Sequence, residues 1–271
     1  MEVTLWERRG VPFYTCRDSA WAGAAHGFST RQGGVSPPPW GSLNLGANRG
    51  DDRGRVAENF RRFCAALGTD PSAMVKNHQV HGSCVRPVTR ADAVEDPAEP
   101  GSFEADGLVT DQPGLCLTVF SGDCIPVLLY DPAARCIAAA HAGWRGTAAG
   151  VAFQAVKTMV EECGCSPENI LAAIGPGIGT CCFETHEDVP QGLLAGLGEA
   201  ARPFIHPIPG GEKYHVDLKG ANDKWLELAG LAPDNIALCP ACTACRLDMF
   251  WSHRLQGNAR GSMAAMIQLI E

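Results

Sequence analysis

The chain has 271 residues, 45% hydrophobic and 19% charged, with a formal net charge of -8. That length supports a sizeable core in one domain, and the acidic balance argues against general nucleic-acid binding, which needs a basic patch, while leaving room for a small anionic substrate in a local basic pocket. No apolar stretch is long enough to span a bilayer, the first residues lack a signal-peptide core, and thirteen cysteines, an odd number, fit the reduced thiols of a cytoplasmic protein better than a disulfide framework.

Residues 28–39 carry a Gly pair and a Pro run and read as a loop. Over residues 53–67, Val56, Phe60, Phe63, Cys64 and Leu67 fall at helical spacing. A strand is expected at 84–88, and residues 90–101, rich in Asp, Glu, Ala and Pro, read as an exposed connection. Four short apolar runs follow at 106–110, 115–120, 125–130 and 136–141, separated by turns at 111–114 and 131–134. The next segment, 147–162, predicts one helix, with Thr147 as cap and Ala152, Ala155, Val156, Met159 and Val160 on one face. Further along come a strand at 170–174, then a helix over 217–228 capped by Asp217, with Leu218, Ala221, Trp225 and Leu226 inward. Strands at 236–238 and 263–269 end the series. Turns this tight exclude a purely parallel doubly wound sheet, because parallel neighbours need a long crossover. The fold class is α/β with mixed, α+β-type sheets.

Ser121-Gly122-Asp123-Cys124 opens the strand at 125–130, and His141 ends the strand after it. A turn at 131–134 makes the two a hairpin, which sets the start of the first strand beside the end of the second. Cys124 and His141 therefore meet at one sheet edge. His81, in Asn77-His78-Gln79-Val80-His81-Gly82, has to arrive from elsewhere in the sheet. One Cys and two His form an open three-ligand set for zinc, with a fourth position left for water. Asp123 is a candidate for proton transfer or ligand orientation, although strand alternation sends it to the opposite face unless the backbone turns there. Two other readings stand beside this one. Cys124 is a nucleophile with His141 as its base, or it is a buried core thiol near ordinary histidines.

Gly143-Trp144-Arg145-Gly146 runs into a helix, and backbone N–H groups beside Arg145 suit a phosphate; a glycine turn plugged by Trp144 is the alternative. Arg31, in its Gly-rich loop, has the same two readings, and Asn44 is a candidate contact to a base or ribose. Cys239-Pro240-Ala241-Cys242-Thr243-Ala244-Cys245 resembles half of an iron–sulfur or structural zinc site, which Cys181-Cys182 or Cys163 and Cys165 could complete. Buried or redox-labile thiols are the other reading.

In sequence order, Ser29-Thr30-Arg31 with Gly33-Gly34-Val35-Ser36, Ser42-Leu43-Asn44-Leu45-Gly46, Gln79-Val80-His81-Gly82, Ala105-Asp106-Gly107, Asp123-Cys124-Ile125-Pro126-Val127, His141-Ala142-Gly143-Trp144-Arg145-Gly146, Ile174-Gly175-Pro176-Gly177-Ile178, and Cys242-Thr243 with Phe250-Trp251-Ser252-His253-Arg254 resemble the YfiH-like laccase-domain family. The likeness runs from about Phe28 to the C-terminus. It implies a single domain over residues 1–271 with a four-layer α/β/β/α fold built on a duplicated βαββ motif. It also implies zinc, with copper as the other metal, held by His81, Cys124 and His141. The activity it implies is phosphorolysis of adenosine, inosine, guanosine and methylthioadenosine to base and sugar-1-phosphate, together with adenosine deamination. Asp123 and Cys124 are then the catalytic candidates, and Arg31, Asn44 and Arg145 the substrate contacts. The partners are a purine nucleoside and phosphate, with no nucleic acid or membrane, in a monomer or weak homodimer. A Cys/His amidase that edits peptidoglycan precursors is the alternative. Copper-dependent polyphenol oxidation is set back because the chain has only eight histidines and no HxH pair. Cys181 and Cys182, ahead of Phe183, depart from the family pattern.

Overall fold

The structure, a computed structural model, describes residues 1–270. Its first part runs β1 (Val3–Arg8), β2 (Val11–Cys16), β3 (Ala24–Ser29), α1 (Arg53–Leu67), β4 (Met74–Lys76), β5 (Val85–Pro87) and β6 (Gly107–Thr110). The middle holds β7 (Cys116–Ser121), β8 (Ile125–Asp131), β9 (Cys136–Ala142), α2 (Trp144–Ala148), α3 (Val151–Cys163) and β10 (Leu171–Ile174). Then come β11 (Glu184–Thr185), α4 (Asp188–Leu197), β12 (Ile205–Pro207), β13 (Tyr214–Val216), α5 (Leu218–Leu228), β14 (Ile236–Leu238), α6 (His253–Gln256) and β15 (Met263–Leu269).

Two six-stranded sheets carry the fold, ordered β1-β2-β3-β15-β7-β4 and β14-β10-β8-β9-β6-β5, beside a small β11-β13-β12 sheet. Both large sheets are mixed. Most neighbours are antiparallel, but β4 runs parallel to β7, β5 to β6 and β14 to β10. Every residue of β8 and β9 is buried, because alternate side chains enter two different cores. Val127, Leu129, Ala138 and Ala140 pack under α3, α4 and α5. Leu128, Tyr130, Ile137 and Ala139 face Leu117, Val119, Ala265 and Ile267 of the first sheet. On that sheet's far side, Phe60 and Phe63 of α1 pack on Phe13, Cys116 and Met266. The layers are thus helix, sheet, sheet, helix. A sheet covered on both faces needs continuous apolar strands, and these are the runs visible in the sequence. Truncating Phe60 or Phe63 to Ala would cost about 3–5 kcal/mol.

The predicted helix over 147–162 is two helices. Gly150, at φ 75, breaks the chain between α2 and α3, and a Cβ there would press on the Trp225 indole at 3.3 Å. Thr147 is not a cap but lies inside α2, where its hydroxyl accepts from Asn222 Nδ2 at 2.9 Å. Trp225, expected inward, is half-buried and donates its Nε1 to the Thr147 carbonyl at 2.7 Å. The Asp217 cap forms as predicted, accepting from Gly220 N at 3.0 Å. β1 to β4, α4 and the small sheet extend the pattern read from the sequence; β1 buries only Val3, so it carries no apolar face to read. No helix among the described residues is long and apolar enough to cross a membrane.

Candidate metal centre and its cavity

The β8–β9 pairing places Ile125 opposite Ala142 and Pro126 opposite His141. Cys124, one residue before β8, therefore lies at the same edge as His141. His81 arrives from the turn between β4 and β5, and the buried carboxylate of Asp106 brings it there. Asp106 accepts from the backbone N–H groups of Val80 at 3.3 Å, His81 at 3.0 Å and Gly82 at 2.6 Å. His81 sits at φ 62, a left-handed conformation that aims these donors at one acceptor. Asp106 directly precedes β6, which pairs with β9, and its carbonyl accepts from His141 N at 2.7 Å. Its Oδ1 also accepts from His141 Nδ1 at 2.9 Å. One carboxylate thus fixes both histidines and leaves His141 Nε2 as the free ring nitrogen.

The ligand atoms of His81, Cys124 and His141 lie within 4.8 Å of one another, and the two imidazoles stand at 80° with centroids 4.9 Å apart. Burial would push the Cys124 thiol up, but the two imidazoles outweigh it and bring it down to about 6. Burial likewise opposes the charged form of His141, yet Cys124 and Asp106 lift it to about 9. For Asp106 the same contest ends below the usual carboxylate range, through His141 and the turn N–H groups. A glycine is required at Gly143, where a Cβ would lie 2.7 Å from His81 Cδ2 and 3.2 Å from the Cys124 sulfur. A thiolate and two imidazoles converging beside an open cavity fit zinc with three protein ligands.

That cavity encloses about 340 Å³, within the range of small-molecule sites. His81, Cys124 and His141 form part of its wall, and Arg49, Arg260, His78, His253 and Asn258 also line it. Arg260 is buried and donates Nη1 to the Gly261 carbonyl at 2.7 Å, while its Nε has no protein partner. Burial and the nearby Arg49 push Arg260 down to about 10. Its guanidinium rests on Gly122, where a Cβ would come within 2.1 Å of Nη1.

The other residues singled out in the sequence lie off this wall. Asp123 sits at φ 92, so the backbone does turn there, but the turn carries the side chain away from the cavity. Its carboxylate accepts from Thr243 Oγ1 at 2.5 Å, Ser252 Oγ at 2.9 Å and Arg254 N at 2.7 Å. Arg31 donates to the carbonyls of Gly41 at 3.1 Å and Leu247 at 2.9 Å, tying loops together. Asn44 is fully buried, accepting from Gly46 N and Ser262 N and donating to Asp51 at 3.0 Å. Arg145 stacks on Trp144, 4.3 Å from the ring centroid. These three residues, expected at the substrate, are placed where their donors serve the scaffold or solvent. The sequence reading passed over Asp106 as an orienting group, and Arg49, Arg260 and His253 as wall residues. Asp106 had a local signal, an acid leading into an apolar strand, and both Asp106 and His253 lie within the motifs quoted above.

Residues 25–270 match the family described as multi-copper polyphenol oxidoreductase laccase. The chain is similar to a purine nucleoside phosphorylase of Deinococcus radiodurans, 42% identical over 90% of this chain and 88% of that one. It is also similar to the purine nucleoside phosphorylase YlmD of Geobacillus stearothermophilus, 37% identical over 98% and 95%. The crystal structure of the hypothetical protein YfiH of Bacillus licheniformis superposes with a TM-score of 0.91 at 32% identity, covering 98% of each chain. Sequence motifs, layer order and these likenesses agree, and the chain belongs to the YfiH-like laccase-domain family.

Proposed function

We propose that this protein is a zinc-dependent purine nucleoside phosphorylase that also deaminates adenosine. The observation that carries the reading is that the His81, Cys124 and His141 centre and the Arg49 and Arg260 guanidinium groups share one cavity. In phosphorolysis a phosphate oxygen bonds to C1′ of the nucleoside and the bond from C1′ to the base nitrogen breaks. The electron pair leaves with the base, which takes up a proton, and sugar-1-phosphate remains. Arg49 and Arg260 suit the phosphate, since two cations held together gain most from an anion between them. The imidazoles of His78 and His253 stand on the same wall as candidate proton donors to the departing base. Zinc held by the three ligands would supply a Lewis acid that polarises a donor atom of the substrate. Asp106 serves by holding His141 in one orientation, and Asp123 by fixing the backbone next to Cys124. Deamination needs the same enclosure: water adds at C6 of adenine and ammonia departs. The names borne by the relatives support the phosphorylase reading.

The test is metal content together with phosphate-dependent release of hypoxanthine from inosine, on wild type and Cys124→Ala. Zinc at the centre with phosphorolysis, both lost in the variant, is the expected result, and the same analysis separates zinc from copper. Phosphorolysis that survives loss of this metal would sink the assignment. The Cys/His amidase remains the second reading because Cys124 and His141 favour a thiolate–imidazolium pair. It predicts thiol-dependent amide cleavage with no nucleoside turnover.

A further inference from the structure

Four more cysteines converge on the far side of Asp123. The sulfurs of Cys181, Cys182, Cys242 and Cys245 all lie within 4.8 Å of one another. Cys245 Sγ is 3.5 Å from that of Cys181 and 3.4 Å from that of Cys182. A sulfur equally close to two others does not mark a disulfide partner, since an S–S bond is about 2.05 Å and joins one pair only. The spacing matches ligands around one shared centre: a tetrahedron with metal–sulfur bonds of about 2.3 Å has edges of about 3.8 Å. Thiolates around a multi-iron cluster would be held further apart by the cluster itself, so the centre is mononuclear.

The surroundings fit thiolates on a metal. Gly179 N donates to Cys242 Sγ at 3.1 Å. A Cβ at Gly179 would crowd Cys181 Sγ at 3.3 Å and Cys242 Sγ at 3.4 Å. The buried Lys219 donates to the carbonyls of Cys239 and Ala241, each at 2.7 Å, which fixes the start of the Cys242–Cys245 loop and brings positive charge near Cys242 and Cys181. Two cysteine groups considered from the sequence fall away. Cys239 is fully buried in the core between the sheets, and Cys163 and Cys165 lie by Cys136 instead.

We propose that Cys181, Cys182, Cys242 and Cys245 form a second, structural site for a single zinc ion, separate from the catalytic centre. Its place explains its use. The site joins the loop after β10 to the loop after β14, and these two loops meet at Asp123. Ile178 N donates to the Asp123 carbonyl at 2.8 Å from one loop. Thr243 holds the Asp123 carboxylate from the other, joined by Ser252 and by Arg254 N at the start of α6. A tetrahedral staple there would fix the backbone beside Cys124 without touching substrate.

The test starts from Cys124→Ala protein, which removes a ligand of the first centre. Purified under reducing conditions, it should retain about one zinc per chain, with a shell of four sulfurs by X-ray absorption. Adding Cys245→Ser should abolish that zinc and lower the melting temperature. A folded Cys124→Ala protein with no zinc, or with a zinc shell containing nitrogen, would overturn the proposal, as would zinc unchanged by Cys245→Ser. If the double variant is insoluble, the absorption spectrum of Cys124→Ala decides alone. The outcome is independent of nucleoside turnover, so it stands or falls apart from the proposed activity.

Discussion

On one side of the cavity, Cys124 and His141 sit at the ends of β8 and β9, strands paired through seven successive residues. On the other side, Arg49, Asn258 and Arg260 come from turns and bends, and Arg49 is tied across the chain by Nε to Ser262 Oγ at 3.2 Å. The first side is fixed by pairing, which depends on residues close in sequence. The second depends on contacts between segments some 200 residues apart. In the proposed function the metal falls on the rigid wall and the substrate contacts on the adjustable one, where side chains can vary without disturbing the sheets.

The largest expected effect strikes the rigid wall. His141→Ala removes a candidate metal ligand and takes the imidazole from the buried Asp106, which keeps only its backbone donors. Metal affinity at this centre and phosphorolysis should both fall by about 10³-fold or more, since a bound metal supplies several kcal/mol of stabilisation. Activity retained in His141→Ala protein that has lost the metal of this centre would show that the pairing-built side is scaffold only.

A second effect tests how the loop wall is tied down. Lys76, fully enclosed, donates to the carbonyls of Pro97 and Glu99, and Glu99, Pro100 and Gly101 line the cavity. Burial pushes its ammonium down to about 8 from an ordinary 10.5, against the pull of Asp96 and Glu99. Between these values the unfolded chain binds the proton and the folded one does not, so stability should rise with pH across that window. The rise is about 3 kcal/mol in full. Denaturant titrations from pH 7 to 10.5 should show it in the difference between wild type and Lys76→Met. A constant difference would mean Lys76 keeps its ordinary value.

Next in size is the anion contact. Arg260→Ala should raise KM for phosphate about 10- to 100-fold, the worth of a hydrogen bond to a charged group. Arg145→Ala, at a residue that does not line the cavity, should leave it unchanged. If the two variants exchanged places, the substrate would sit at the α2 N-terminus and not between the two walls. Asp106→Asn should be gentler than ligand removal. The side chain keeps its size, but its nitrogen cannot accept from three N–H groups and His141 together, and metal affinity should drop about 10- to 100-fold by competition against a chelator.

The same contrast explains what could be read in the sequence. The bounds of α1, β14 and β15 follow from local periodicity, and the meeting of Cys124 with His141 follows from one hairpin. His81 could not be placed this way, because it depends on Asp106, 25 residues on, gathering three backbone donors. Arg260 gave no signal, since an arginine resting on Gly122 has no periodicity to mark it. Arg31 was attractive for its Gly-rich loop and Arg145 for the helix start beside it, but the glycines of the Arg31 loop make room for a loop crossing: a Cβ on Gly34 would meet Leu43 Cα at 2.4 Å. The helix break at Gly150 was hidden because the apolar positions of α3 continue those of α2 in near-helical phase.

The smallest prediction isolates the legible part of the fold. Asp217 caps α5 through Gly220 N, an arrangement expected from the sequence alone. Asp217→Ala removes one acceptor for an orphan N–H and should cost about 1 kcal/mol, a fall in Tm of about 2–4 °C. α5 packs on α3 and supplies Lys219 to the loop of Cys242, but it contributes nothing to the cavity wall. Metal content at the His81, Cys124 and His141 centre and KM for phosphate should therefore stay at wild-type values. A change in either, measured well below the melting temperature, would show that the helical layer and the cavity are coupled through the Lys219 loop, and that the sheet edge does not fix the metal centre by itself.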